Sequence, residues 1–193
     1  MAATDEQALE ALAKKLHPDT IRSNLVRAGL YLAGWEMLKS EMQNKVREFY
    51  TVDVGGPYSA RRYAEKVLAL DSGKEKGKIF RASLLWLVET AALTEAQAER
   101  IRQMLDHRNE IAHEMPKVLV DDGHAGVDVA LLREMRDIIA ALGVFWGRIE
   151  IDTDPDFVGR DVADEDIRSG VSLFMDHLVA AAEEVATAAP ASR

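Results

Sequence analysis

The spacing of apolar residues constrains this chain more than any other feature. From Thr20 to Tyr50 they recur every three or four positions, as Ile21, Leu25, Ala28, Leu32, Trp35, Met42, Val46 and Phe49. That period winds one apolar stripe along a helix and does not suit a strand. It returns at about Ser59–Leu70, in KIFRASLLWLVETAAL (which reads as a very apolar, central helix) and at about Glu95–Glu114. It appears again from Val129 to Ile149, with Leu131, Met135, Ile138, Leu142, Phe145 and Ile149 on one face. A last helix, near Asp166–Thr187, carries Ile167, Val171, Phe174, Leu178 and Val185. Between these segments, TVDVGGPYS, DSGKEKG and KVLVDDGHAGVD read as turns or loops, and DTDPDFVGRDVADED as a solvated acidic connector. The expectation is an all-α protein, an antiparallel helical bundle. Residues 1–19 form a short helix opened by Thr4 and Gln7 at capping-box spacing, striped by Leu9, Leu12 and Leu16 and ended by Pro18. Residues 20–187 make the helical domain, and residues 188–193 a frayed tail.

Composition narrows the chemistry. The chain of 193 residues has no cysteine, which excludes disulfides, thiolate catalysis and cysteine-bound zinc. No apolar run is long enough to span a bilayer, and the acidic start MAATDEQALEALAKKL does not read as a signal peptide, so a cytoplasmic location is expected. The net charge of −9 is unevenly placed. Residues 1–117 carry 18 basic and 17 acidic side chains; residues 118–193 carry 6 and 16. Such acidity excludes a general nucleic-acid coat protein but leaves room for local contacts by the near-neutral half.

That half contains the most informative stretch, DHRNEIAHEMP, Asp106 to Pro116. Ile101, Leu105, Arg108 and Ala112 share one helical face, so an arginine takes a core-facing position. A guanidinium there needs a carboxylate, an anion or a wet interface. Asn109 and His113 lie four apart, on one face. Arg108 and His113 lie about 140° apart around the axis, so one straight helix cannot easily aim both at one small site. Either the last turn loosens before Pro116, or two copies of the helix meet across a two-fold axis. Arginine binds phosphate bidentately, and histidine exchanges protons near neutrality. Together with asparagine they suit metal-independent RNA cleavage, in which the 2′-hydroxyl attacks the adjacent phosphorus. The plainer alternative is structural: a histidine at a helix C-terminus and an arginine in a salt bridge.

The words RNEIAH resemble the signature of the HEPN superfamily (higher eukaryotes and prokaryotes nucleotide-binding), in which Arg and a polar residue precede a spacer and His. Arg108, Asn109 and His113 occupy those positions. The resemblance implies an all-α HEPN-like homodimer with a composite site at the subunit interface. It implies an endoribonuclease of the toxin or phage-defence kind, with Arg108 and His113 catalytic and Asn109 supporting. It also implies an RNA substrate and an antitoxin or other inhibitory protein as partners. Glu36, in AGWEMLK, is a supporting candidate placed to pair with Arg108. A toxin subgroup carries a modified Tyr two residues after the His; here that position is Met115. The alternative implied by the same family is a non-catalytic dimeric module that binds nucleotide, RNA or a protein.

Other signals are weaker. Lys74, Lys76 and Lys78, with Arg61, Arg62 and Lys66, offer a phosphate-tracking surface or a solvated basic loop. Gly77-Lys78 lacks the following Ser/Thr and the preceding strand of a nucleotide-binding loop. Asp152, Asp154 and Asp156 have calcium-loop spacing without its Gly or its closing Glu. No histidines pair at i, i+4, so neither a metal nor a cofactor is expected. Trp35, Trp86 and Trp146 sit in apolar helices and read as packing residues.

Overall fold

The computed structural model describes residues 7–187, except 8, 11, 14, 52–56 and 121–125. Thr4, the GG turn before Pro57, His124 and the 188–193 tail therefore lie outside the described residues. Among those described there is no strand, and no helix is long and apolar enough to cross a membrane. Six helices form the framework: α1 Pro18–Phe49, α2 Pro57–Lys66, α3 Lys78–Glu89, α4 Glu95–Val120, α5 Val129–Thr153 and α6 Gly170–Thr187. Short 3-10 turns occur at Leu68–Leu70, Pro155–Phe157 and Asp164–Asp166.

Pro18 does not end the N-terminal helical segment so much as start α1. It takes the first helical position, where its missing N–H costs nothing, and the His17 side chain accepts the Asp19 N–H. Leu9, Leu12 and Leu16 stay in solvent rather than forming a buried stripe.

The central helix is α1, not α3 as its composition suggests. It packs against α3, α4, α5 and α6. The inner face of α1 is Ala28, Tyr31, Trp35, Leu38, Met42 and Val46. Leu25 and Phe49, expected on it, are about half exposed (46% and 45%). On α5 the face is close to expectation, with Leu131, Met135, Ile138 and Leu142 buried and Phe145 and Ile149 packed against the core. On α6 the buried apolar residues are Met175, Leu178, Val179 and Ala182, while Phe174 points outward at 52% exposure. All three tryptophans are core residues, and Trp86 stacks on Trp146 with ring centroids 6.0 Å apart. This burial of large side chains is the main force holding the bundle together.

Candidate functional site

Helix α4 begins as its sequence dictates. Thr94 accepts the Gln97 N–H, and Gln97 reaches back to the Thr94 N–H at 2.8 Å, a closed capping box. Its inward seam is Ile101, Met104, Ile111 and Val118, with Arg108 between Met104 and Ile111. The inward partners thus differ from the stripe read from sequence: Leu105 is half-buried and Ala112 exposed. The Arg108 position in the seam stands. One turn earlier, the buried Tyr31 hydroxyl donates to the Met104 carbonyl at 3.1 Å and ties α4 to α1. Burial pushes the Tyr31 phenol well above its ordinary value, so it stays a neutral donor.

Arg108 reaches solvent at the edge of the seam, with 31% of its side chain exposed. Nη2 donates to Glu36 Oε1 at 3.4 Å, and Nη1 to Asn109 Oδ1 at 3.3 Å. Both bonds are long for N–H···O contacts. Nε is buried and has no partner among the described residues. Glu36 is bound more closely by Lys39, at 2.9 Å. That Lys39 hydrogen bond is the main reason the Glu36 carboxyl lies below its usual range; the Arg108 charge adds to it. A guanidinium in this state keeps donor capacity for an incoming anion.

His113 lies on another face. It is exposed, and with Asn109, Gln103, Asp106 and Glu110 it lines a shallow depression of about 680 Å³. Arg108 and Glu36 instead line a cavity of about 860 Å³ between α1, α3 and α4, floored by Trp35, Leu84 and Leu105. The two share Asp106 as a wall. The structure therefore joins Arg108 with Glu36 and Asn109, and sets His113 one rim away.

The helix is disturbed just after His113. Glu114 has φ −119° and ψ 24°, and helical structure then resumes through Pro116 to Val120. Proline was expected to end this segment; it kinks it. Without an N–H it cannot bond the Ala112 carbonyl, and its ring crowds that group.

The basic candidates are dispersed. Arg61 pairs with Glu65 at 2.7 Å, and Lys78 with Glu75 at 3.3 Å. Arg62 sits over the Tyr50 and Tyr58 rings. Lys66, Lys74 and Lys76 are exposed, and among the six Lys78 alone lines the Arg108 cavity. The 71–77 loop wraps Arg81, which donates to Asp71 through Nε (3.1 Å) and Nη2 (2.8 Å) and through Nη1 to the Lys76 carbonyl at 2.8 Å. Gly77, at φ +77°, turns that loop into α3. It is a helix start built on an arginine, not a phosphate loop. Asp154 caps the turn after α5 by accepting the Asp156 N–H. Among the described residues no group of three or more His, Cys, Asp or Glu is placed to hold a metal ion.

His107 escaped the sequence reading. Its Nε2 accepts the Asp128 N–H at 3.0 Å, its ring stands edge-on to Tyr31, and Nδ1 faces Glu110 at 3.3 Å. Nδ1 therefore carries the proton in the neutral ring. This residue pins the start of α5 to the motif helix. No local pattern announces it, because its partner lies 21 residues away.

A scan of protein-family models, a search of curated proteins and a search of solved structures each returned no match to this chain.

Proposed function

We propose that the chain is a metal-independent endoribonuclease of the HEPN type, acting as a two-fold homodimer. The observation that carries this reading is Arg108: a half-buried guanidinium with two long hydrogen bonds and a buried Nε that has no partner among the described residues. A purely structural arginine would be expected to close its bonds on a carboxylate. Glu36 instead favours Lys39. The likeness of RNEIAH to the HEPN signature supplies the reaction class.

The surface of α4 supports the dimer. Arg102, Leu105, Asn109, Ala112 and Pro116 follow i, i+3, i+7, i+10, i+14 and form a second seam, directed outward. Leu105 and Asn109 are half-buried there, and the other three are accessible. Arg108 flanks this seam by about 80° on one side and His113 by about 60° on the other. A two-fold axis running along the seam lays each Arg108 edge against the His113 edge of the second copy. The axial offset is about 7.5 Å, which the arginine stem and the kink at Glu114 can span. An axis across the seam would instead pair Arg108 with Arg108, at a repulsive cost.

In the proposed reaction, neutral His113 takes the 2′-hydroxyl proton. The freed oxygen attacks the adjacent phosphorus as the bond to the 5′-oxygen breaks. The leaving oxygen takes up a proton, and Arg108 stabilises the phosphorane charge while Asn109 and Glu36 hold the guanidinium. The products are a 2′,3′-cyclic phosphate and a 5′-hydroxyl. The corresponding biological role is that of a toxin or phage-defence effector, restrained by an inhibitory protein.

The test is cleavage of end-labelled RNA in EDTA by wild type and His113→Ala, with product ends analysed. Cyclic phosphates from wild type alone support the enzyme. RNA binding by both proteins with no cleavage by either would replace it with the non-catalytic dimeric module.

A further inference from the structure

Resting on the RNA reading, we infer a second RNA-binding subsite at the far end of the Arg108 groove. It is centred on Arg47, Asn44, Ser59 and Tyr63 and holds the strand several nucleotides from the cleaved bond. A cavity of about 620 Å³ lies there, and it shares Gln43 and Ile79 as walls with the Arg108 cavity. The two cavities adjoin at these shared residues. One face of α1 lines both, because Glu36, Lys39, Gln43 and Arg47 recur at i, i+3, i+7, i+11.

The two ends differ chemically. The Arg108 cavity is lined by both signs of charge, including Glu36, Asp71, Glu75 and Asp106. Among its described lining residues, the distal cavity has no carboxylate at all. Its one charge is Arg47, an exposed side chain with no acidic partner among the described residues. Ser59 and Tyr63, 3% and 8% exposed, also line it, and neither hydroxyl has a hydrogen-bond partner among the described residues. Buried hydroxyls without partners are uncommon, and a ribose or phosphate oxygen would satisfy these two once the cavity wall opens around it. Asn44 donates to Ser40, which leaves its carbonyl oxygen to accept.

Length decides the kind of ligand. Glu36 and Arg47 are eleven residues apart, about 16 Å along α1. At the roughly 3.4 Å rise of a stacked strand, that separates two phosphates by about five nucleotides. A free phosphate ion would occupy one end only; a single strand occupies both.

The experiment uses fluorescein-labelled 2′-O-methyl RNA, which cannot supply the attacking hydroxyl, in lengths of about three and about twelve nucleotides. Anisotropy titrations compare wild type, Arg47→Ala and Tyr63→Phe. We expect Arg47→Ala to weaken the long oligomer about tenfold and to leave the short one unchanged. Its log-affinity against log-salt slope should be shallower by about 0.7, one phosphate contact fewer on a single strand. Tyr63→Phe, which keeps the ring packing, should weaken the long oligomer about threefold. Equal affinity of wild type and Arg47→Ala for the long oligomer overturns the distal subsite and leaves the RNA reading standing. An equal loss on both lengths also overturns it. No binding of either length by wild type overturns the RNA reading and the subsite together.

Discussion

The two halves of this chain do different work with the same secondary structure. Residues up to Glu114 supply all the described lining of the three cavities around α1, α3 and α4. The later residues, with 6 basic and 16 acidic side chains beyond position 117, supply none of it. Instead α5 and α6 pack on α1 and bury Met135, Ile139, Leu142, Met175 and Val179 in the common core. The first half places Lys39, Arg47, Lys78, Arg102 and Arg108 at cavity walls, while the second keeps charges in surface pairs such as Arg133–Glu183 and Arg148–Asp164. The acids of the second half stay out of these cavities, so the carboxylates an anionic ligand meets in the Arg108 cavity are those of the first half, Glu36, Asp71, Glu75 and Asp106.

The sharpest way to break this contrast is to disable the first half without unfolding the second. Arg108→Ala and His113→Ala should each lower RNA cleavage by about 10²–10⁴-fold while far-ultraviolet circular dichroism is unchanged. Mixing the two variants after dissociation should restore about a quarter of wild-type activity. Half the dimers become mixed, and each mixed dimer keeps one intact composite site. A mixture as inactive as its components would show that both groups act from one chain.

Next in size is the scaffold. Leu142→Ala on α5 should cost about 2–5 kcal/mol in urea unfolding. Gly147→Ala, also on α5, brings a Cβ to 2.4 Å from Ile167 Cγ2, a methyl on a stiff β-branched side chain. That overpacking should cost about 1–3 kcal/mol. Neither variant should change the binding of uncleavable RNA where the protein is folded. A fall in affinity without unfolding would mean that the acidic half reaches the groove.

A smaller effect probes the seam. Ala112→Glu places a carboxylate on the outward face of α4, where the second copy is proposed to pack. Sedimentation should then show monomer and cleavage should fall, with a melting temperature close to wild type. A dimer that persists with full activity would move the interface elsewhere.

How far the sequence carried these conclusions varies along the chain. The main helices were legible, because the apolar period and the Thr94–Gln97 box are local signals, but Lys117–Val120, read as loop, continues the motif helix past Pro116, and the helix read over 59–70 ends at Lys66. The buried faces were less so. On α1 the covered stripe lies roughly 50° around from the one read by periodicity, through Tyr31 and Leu38 rather than Leu25 and Phe49. Four helices cover α1 from different sides, and no pattern within α1 records which side each one takes. Arg108 was legible because a cation interrupts an apolar period. Its link to Glu36 was legible as a type of partner, though not that Lys39 would hold that carboxylate more closely. His107 was not legible, since its bond to Asp128 exists only once α4 and α5 are docked.

The smallest predicted effects come from two carboxylates on α1 whose environments push them in opposite directions. Burial raises the Glu41 carboxyl above its ordinary range; Lys45 opposes this and Glu48 adds to it. Lys39 lowers Glu36, with help from Arg108. For Glu41 the folded state prefers the proton, so its ionisation costs stability as pH rises past the unfolded value near 4.3. Glu41→Gln should therefore raise the melting temperature at pH 7.5 and change it little at pH 4. For Glu36 the folded state prefers the ionised form. Its contribution is present above the unfolded value and is lost as pH falls through the lowered folded one. Glu36→Gln should slightly lower the melting temperature at pH 7.5, and the difference should vanish in acid. The Glu36 effect stays small because half of that side chain is in water, where the pair is screened. Thermal melts of both variants against pH should thus diverge in opposite directions from wild type above pH 5. Two curves that shift the same way would mean that Glu41 has a cationic partner in the folded protein strong enough to outweigh its burial.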